Sequence, residues 1–338
     1  MTSTLTQNLL NTAICVFLLK TSATAQNTIY TWKNAQTFGD FTDSDNWIGG
    51  LVPPINGAPG SGSTEIRMGY ANASDINLSG SILLHTLKFT SDYWNNHPSF
   101  SVTNGMTLNH RIENGANSNM TVYSEVTLNG GSHMFWAHLG NLRFPDPIDL
   151  NSRDLELRAD YPASVSKTIT LTGGISGGYL PQYGGTGITK TGDGVVLLGG
   201  SNSYTAPFTV TDGELRLISN SALPIGSSLL TVGPLGSVTV DDGVDIPLYR
   251  DLELKGTLKF NGTSSWSFAD ELNITGDSAK IIADGPMGRL KGNMLYPMSI
   301  TGGKINFAAT AGSVLDVAKV VEIDPNGAAF KLTIGSYP

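Results

Sequence analysis

The spacing between short alternating segments limits this chain's fold more than any other feature of its sequence. Two apolar residues flank one polar residue at Phe100/Val102, Met106/Leu108, Met120/Val122 and Val126/Leu128. The pattern returns at Phe208/Val210, Leu215/Leu217, Leu230/Val232, Val238/Val240, Leu252/Leu254, Leu258/Phe260 and Leu272/Ile274. Period two marks a strand with one buried face. From Phe100 the pairs begin at intervals of 6, 14 and 6 residues, and from Phe208 at 7, 15, 8, 14, 6 and 14. Any two successive intervals span 20–23 residues, and a repeat of that length means one unit stacked many times. A hairpin meander spaces its strands more evenly. Alternate short and long gaps predict a coil of two principal strands, one tight corner and one looser connection. The expected fold is therefore all-β: a right-handed parallel β-helix of 20–23 residues per coil and roughly a dozen coils. On this reading Leu217 and Val240 point inward, and Thr239 points outward.

Composition agrees. Charged residues make up 14% of the chain, hydrophobic ones 40%, and 40 glycines supply tight turns. Gly, Asn, Asp and Ser fill the gaps, as in Thr103-Asn104-Gly105, Asp212-Gly213 and Asn261-Gly262. A formal net charge of −8 argues against a nucleic-acid partner, whose phosphates an acidic surface repels. Residues 1–25 read as a secretory signal, with an apolar run from Leu9 to Leu19 followed by the small-x-small pattern Ala23-Thr24-Ala25. Cys15 is the only cysteine, so cleavage after Ala25 leaves no thiol for a disulfide or a cysteine metal site. No later segment is long and apolar enough to cross a bilayer as a helix.

Two regions break the rhythm. Residues 26–62, rich in Trp, Gly, Asn and Pro, are the natural N-terminal cap of the stack that occupies 63–338. Pro145-Asp146-Pro147 marks a loop or a junction between two solenoid segments. The best helical candidate, 311–321, is short and glycine-led.

From 174 to 217 the chain reads GISGGYLPQYGGTGITKTGDGVVLLGGSNSYTAPFTVTDGELRL. This resembles the autotransporter-associated β-strand repeat of bacterial surface proteins. The elements that carry the likeness are Ile188-Thr189-Lys190-Thr191-Gly192-Asp193-Gly194, Val196 and Leu198 before Gly199-Gly200, Asn202-Ser203-Tyr204-Thr205, and Phe208-Thr209-Val210 leading to Leu215 and Leu217. Residues 221–240 look like the coil that usually follows. Trp32, Asp43-Ser44-Asp45-Asn46-Trp47, Gly49-Gly50 and Val52-Pro53-Pro54 are similar to sequences that precede such repeats. The resemblance implies a passenger-like region at the surface of a Gram-negative-type bacterium, associated with the outer membrane. Classical relatives end in a membrane barrel, so this chain is expected to be part of a longer product or to dock on another protein.

The repeat also reads physically. Gly192 and Gly194 are expected to take positive φ at a tight corner, and Asn202 to bond neighbouring backbone at a bend. Phe208 stands where a smaller residue is usual, which predicts a locally swollen core. Val195 and Leu197 are apolar on the outward parity, which predicts a covered face.

Candidate chemistry is sparse. His133 and His138, five apart, face opposite sides of a strand, while His85, His97 and His110 are isolated from one another in sequence. Asp40, Asp43, Asp45 and Asn46 crowd one loop, but their spacing misses a calcium loop and reads as turn and cap chemistry. Asp241, Asp242 and Asp245 form a weaker cluster, and Glu322, Asp324 and Asn326 read as a turn around Pro325. The sequence therefore assigns no catalytic, metal-binding or cofactor-binding residue. The expected function is a non-catalytic, secreted or cell-surface solenoid with a structural or adhesive role, whose partners are extracellular polysaccharide or protein. The rival is a polysaccharide lyase or hydrolase, whose best residues would be Asp154, Glu156 and Arg158 on one outward parity. A carbohydrate-binding module is a third reading, resting on Tyr93-Trp94 and Tyr179.

The processing pattern carries a direct test. Mass spectrometry of the exported protein should find Gln26 at its start, and a mature chain that retains Cys15 would refute the signal assignment.

Overall fold

A computed structural model describes residues 28–32, 43–53, 64–68, 75–78, 80–90, 99–160, 165–178, 187–224, 229–274, 279–284, 288–292, 298–301, 304–309, 315–318, 320–324 and 331–336. The chain is a parallel β-helix, and every pairing between its named strands is parallel. Parallel neighbours place the same position of each coil in one column, about 4.8 Å apart.

The first ladder stacks Tyr30, Ile66, Leu87, Ile112, Phe135, Leu157, Lys190, Val210, Val232, Leu254 and Ile274. It continues through the strands Met298–Thr301 and Val320–Asp324. The second ladder stacks Met120, Leu142, Ile169, Val196, Leu215, Val238, Leu258, Ile281, Phe307 and Ile334. Thus Leu215 lies on Val238 and Leu258, and Phe208 lies on Leu230 and Leu252, all in parallel register. No hairpin joins 208–210 to 215–217; both belong to the strand Phe208–Leu217, which turns a corner at Asp212-Gly213.

The two-sided coil of the sequence reading needs correction. A third side stacks Ile82, Met106, Val126, Ile148 and Ile175, and later Ile246, Trp266, Leu290 and Val317. Between these runs the third side has no named strand, and Asn202 takes over. Its Oδ1 accepts the Ile175 N–H at 2.6 Å, and its Nδ2 donates to the carbonyls of Gly199 and Ala222 at 2.9 and 2.7 Å. The bend role read from sequence holds. Short and long intervals alternated because the visible pairs came from the second and third sides early in the chain and from the first and second sides later.

Several local expectations also change. The strand Thr28–Trp32 pairs with Thr64–Met68, so the N-terminal region contributes a rung of its own. Trp32 and Trp47 are fully buried there, with ring centroids 5.0 Å apart, edge to face. Pro145-Asp146-Pro147 is a corner between the strands Leu142–Phe144 and Ile148–Asp149, and the second ladder and the third side both continue past it. The helical candidate at 311–321 is replaced by the strands Leu315–Ala318 and Val320–Asp324, since stacking on existing rungs overrides weak local preference. Glu322 and Asp324 lie in the second of these rather than in a turn.

Phe208 is fully buried in register between Ile188 and Leu230, with no bulge at its own position. Val195 and Leu197 are half-buried among the outward side chains of neighbouring coils, not covered by another element. Thr239 does face outward, yet Arg216 and Lys259 on either side leave it only 3% exposed.

Leu217 and Val240 are fully buried and adjacent in one column. Leu217→Asp or Val240→Asp places an unpaired charge in that column and should cost about 3 kcal/mol or more. Hydrogen exchange should show protection lost first in the adjacent coils, since each repeat touches only its neighbours. Uniform loss over the whole chain would contradict the stacked architecture.

Candidate functional site

The first ladder carries most of the polar chemistry on its outer surface. The strand Leu155–Ala159 alternates buried Leu155, Leu157 and Ala159 with outward Glu156 and Arg158. Asp154 just precedes it. Asp154, Leu155 and Glu156 border a cavity of about 250 Å³, shared with Ser132, His133, Gly187, Thr189 and Thr191. The structure therefore brings Asp154 and Glu156 to one hollow. Both carboxylates already serve the next coil: Asp154 Oδ1 accepts the Gly187 N–H at 2.8 Å, and Glu156 Oε1 accepts the Thr191 hydroxyl at 2.6 Å. Glycoside hydrolysis needs one carboxyl as acid and a second as base or nucleophile across a sugar bond. Here each holds a backbone or hydroxyl donor of the following turn.

Arg158 belongs to a different group. Its Nε donates to Asp160 Oδ1 at 3.1 Å, and its guanidinium lies 4.8 Å from the Trp136 ring centre. Trp136 Nε1 donates to Asp160 Oδ2 at 2.8 Å, and His138 Nδ1 stands 3.0 Å from the same oxygen. Burial raises the Asp160 pKa, but the bonds from His138, Trp136 and Arg158 outweigh it and hold the carboxyl below its ordinary value. Trp136 and Arg158 occupy the same column on adjacent coils, which is why this brace forms. Sequence reading missed it because its members are 22 and 24 residues apart.

His133 and His138 do face opposite ways. His133 is buried, with Nε2 3.0 Å from the Leu108 carbonyl and 2.9 Å from that of Asn129. Burial lowers its pKa, so it is a neutral core residue at pH 7. His85 and His110, far apart in sequence, lie one coil apart, with ring centroids 4.9 Å apart and ring planes tilted by 40°. Burial, and then the neighbouring His110, lower the pKa of His85.

Asp43 caps a short turn by accepting the Asp45 N–H at 2.9 Å, and Asn46 is buried in the same turn. Asp241 pairs with Arg216 at 2.7 Å, Asp242 accepts the Thr263 N–H at 2.8 Å, and Asp245 accepts the Ser265 hydroxyl. These aspartates are turn and inter-coil ties. Among the described residues no group of three His, Cys, Asp or Glu gathers to hold a metal. Asp40, Tyr93, Trp94, His97, Tyr179 and Asn326 lie outside the described residues.

The least expected residue is Lys190. Ile188-Thr189-Lys190 alternates in step with the strand, so Lys190 occupies an inward position between Leu157 and Val210 and is fully buried. Its ammonium reaches the corner and donates to the carbonyls of Thr191 and Asp212, each at 2.9 Å, and to that of Gly192. The parity was visible in the sequence, but a lysine at an inward position invites assignment to the turn. Two glycines admit it. Gly192 has φ 73° and Gly213 φ 67°, and a Cβ on Gly213 would overlap the Gly192 carbonyl and crowd Lys190 Nζ. Gly194, expected at positive φ, is instead required for space, since its Cβ would meet the Lys167 carbonyl.

No family model matches this chain, and neither a curated protein nor a solved structure does.

Burial pushes the Lys190 pKa down from 10.5 to about 8, while Asp212 and Asp193 partly oppose the shift. A folded-state pKa below the unfolded one means that burying the proton costs stability below pH 8. That cost is relieved as pH rises from 8 towards 10.5. Lys190→Met strands three corner carbonyls and should destabilise by about 2 kcal/mol. The gap from wild type in denaturant midpoint should widen between pH 7 and pH 9.5. An unchanged or narrowing gap would contradict the buried-ammonium account.

Proposed function

We propose that this chain is a non-catalytic β-solenoid that acts outside the cell, with a structural or adhesive role, and is of the autotransporter-associated repeat type. The carrying observation is where its outward polar groups go. Asp154 ties to Gly187, Glu156 to Thr191, Arg216 to Asp241 and Lys259 to Asp284, so these charged groups act between adjacent coils. A scaffold needs that economy, because a stack of coils is only as firm as its neighbour-to-neighbour ties. The apolar run and Ala23-Thr24-Ala25 support export, and the 188–217 motif supports a place at the surface of a Gram-negative-type bacterium.

Two measurements test the reading. Incubated with pectin, alginate and related polymers, the purified protein should leave their chain length unchanged. Cleavage that Glu156→Gln or Asp154→Asn abolishes would replace the scaffold with a lyase or hydrolase. In intact cells the protein should be open to added protease, and protection in the cytoplasm would refute the surface role.

A further inference from the structure

We infer that the outer face of the second ladder carries a binding groove for an acidic polysaccharide, with Arg143 as its carboxylate-recognising residue and Tyr123 as its sugar-stacking platform. The groove has a volume of about 540 Å³ and crosses four successive rungs, from Ser99–Val102 through Met120–Tyr123 and Leu142–Phe144 to Thr168–Leu171. Register places Thr121, Arg143 and Thr170 in one outward column, so the guanidinium has a hydroxyl on the coil before it and another on the coil after.

Arg143 differs from most cations on the outer faces. Lys88, Arg158, Arg216 and Lys259 each face a carboxylate within 3.1 Å. Arg143 is exposed and makes no ion pair among the described residues, and no residue lining the groove is acidic. In a chain of net charge −8, this hollow offers a fork of donors and, among the described residues, no anion to answer it. A guanidinium fork matches a carboxylate in a planar, two-bond geometry.

The rest of the lining fits a sugar ring better than a peptide or a simple anion. Tyr123 shares the outward face with Thr121 and is 45% exposed, an aromatic surface that costs free energy to leave in water. At one side Asn141 Nδ2 donates to Asn119 Oδ1 at 2.7 Å, and Asn141 Oδ1 accepts the Thr168 N–H at 2.8 Å. These bonds fix the amides, so that side of the groove is pre-organised for hydroxyl partners. Coils repeat about every 4.8 Å, close to the length of one pyranose unit. A uronate-bearing chain laid along the axis therefore offers one ring to each coil in turn.

The assignment rests on the adhesive reading only for location, since binding is measured on the purified chain. The probe is polygalacturonate, with a neutral galactan as control, followed by calorimetry or affinity electrophoresis. Saturable binding of the acidic polymer is expected, weakening as salt rises. Arg143→Gln should weaken it about tenfold or more, as should Tyr123→Ala, while Arg143→Lys should recover part of the loss. Lys280→Gln, an exposed cation further along the same ladder, should leave affinity unchanged. Circular dichroism and the thermal midpoint of each variant should match wild type, because these side chains lie on the surface. Three results would overturn the groove: no saturable binding, equal affinity for the neutral polymer, or full affinity in folded Arg143→Gln. If the groove fails while the protein is still found at the cell surface, the scaffold reading stands alone.

Discussion

The described strands of this molecule exchange their backbone hydrogen bonds with strands of neighbouring coils, always in parallel. That single constraint governs the rest. A parallel ladder in register puts each residue on its counterpart one turn away, so an apolar position must be answered by an apolar position. The columns Leu142–Ile169–Val196–Leu215–Val238–Leu258 and Phe144–Leu171–Leu198–Leu217–Val240–Phe260 follow directly. The core is then a row of short contacts between neighbours, with side chains of different size in succession and no need for a common centre.

Where the chain must turn, the same rule makes corners stack on corners, and there the polar backbone cannot join a ladder. The structure meets this with side chains that act as local donors. Asn202 does so on the third side, Asn114 bonds the carbonyls of Ser118 and Asn141, and Lys190 bonds three carbonyls at one corner. A buried ammonium is a costly way to satisfy carbonyls, and desolvation registers in its lowered pKa. It is held because Gly213 leaves out the side chain that would crowd its Nζ, while Gly192 supplies the positive φ of the corner.

Outside the core, repetition multiplies whatever a coil displays. Opposite charges one coil apart become braces, as in Lys88–Glu113 and Arg216–Asp241, and an aromatic with a cation becomes the Trp136–Arg158–Asp160 brace. Residues left out of such ties are correspondingly informative. Arg143 and Tyr123 are so placed, in a groove whose other polar side chains are hydroxyls and amides.

By itself the sequence determined the class of fold, because period-two alternation repeated every 20–23 residues has few other solutions. It also marked Asn202 as a bend residue and Leu217 and Val240 as core, since each follows from local parity or turn chemistry. Tertiary structure decided what lies beside what. The third side went unread because its rungs are as short as Ile148–Asp149 and Ile175–Ser176, and part of it is held by an asparagine in place of a strand. Coil lengths vary as well: Leu157 and Lys190 are paired neighbours although 33 residues separate them, so no fixed period could have matched them. For the same reason His85 with His110, Trp136 with Asp160, and Tyr123 with Arg143 were invisible as groups. Alternation states which way a side chain points, but only the register between coils states what it meets.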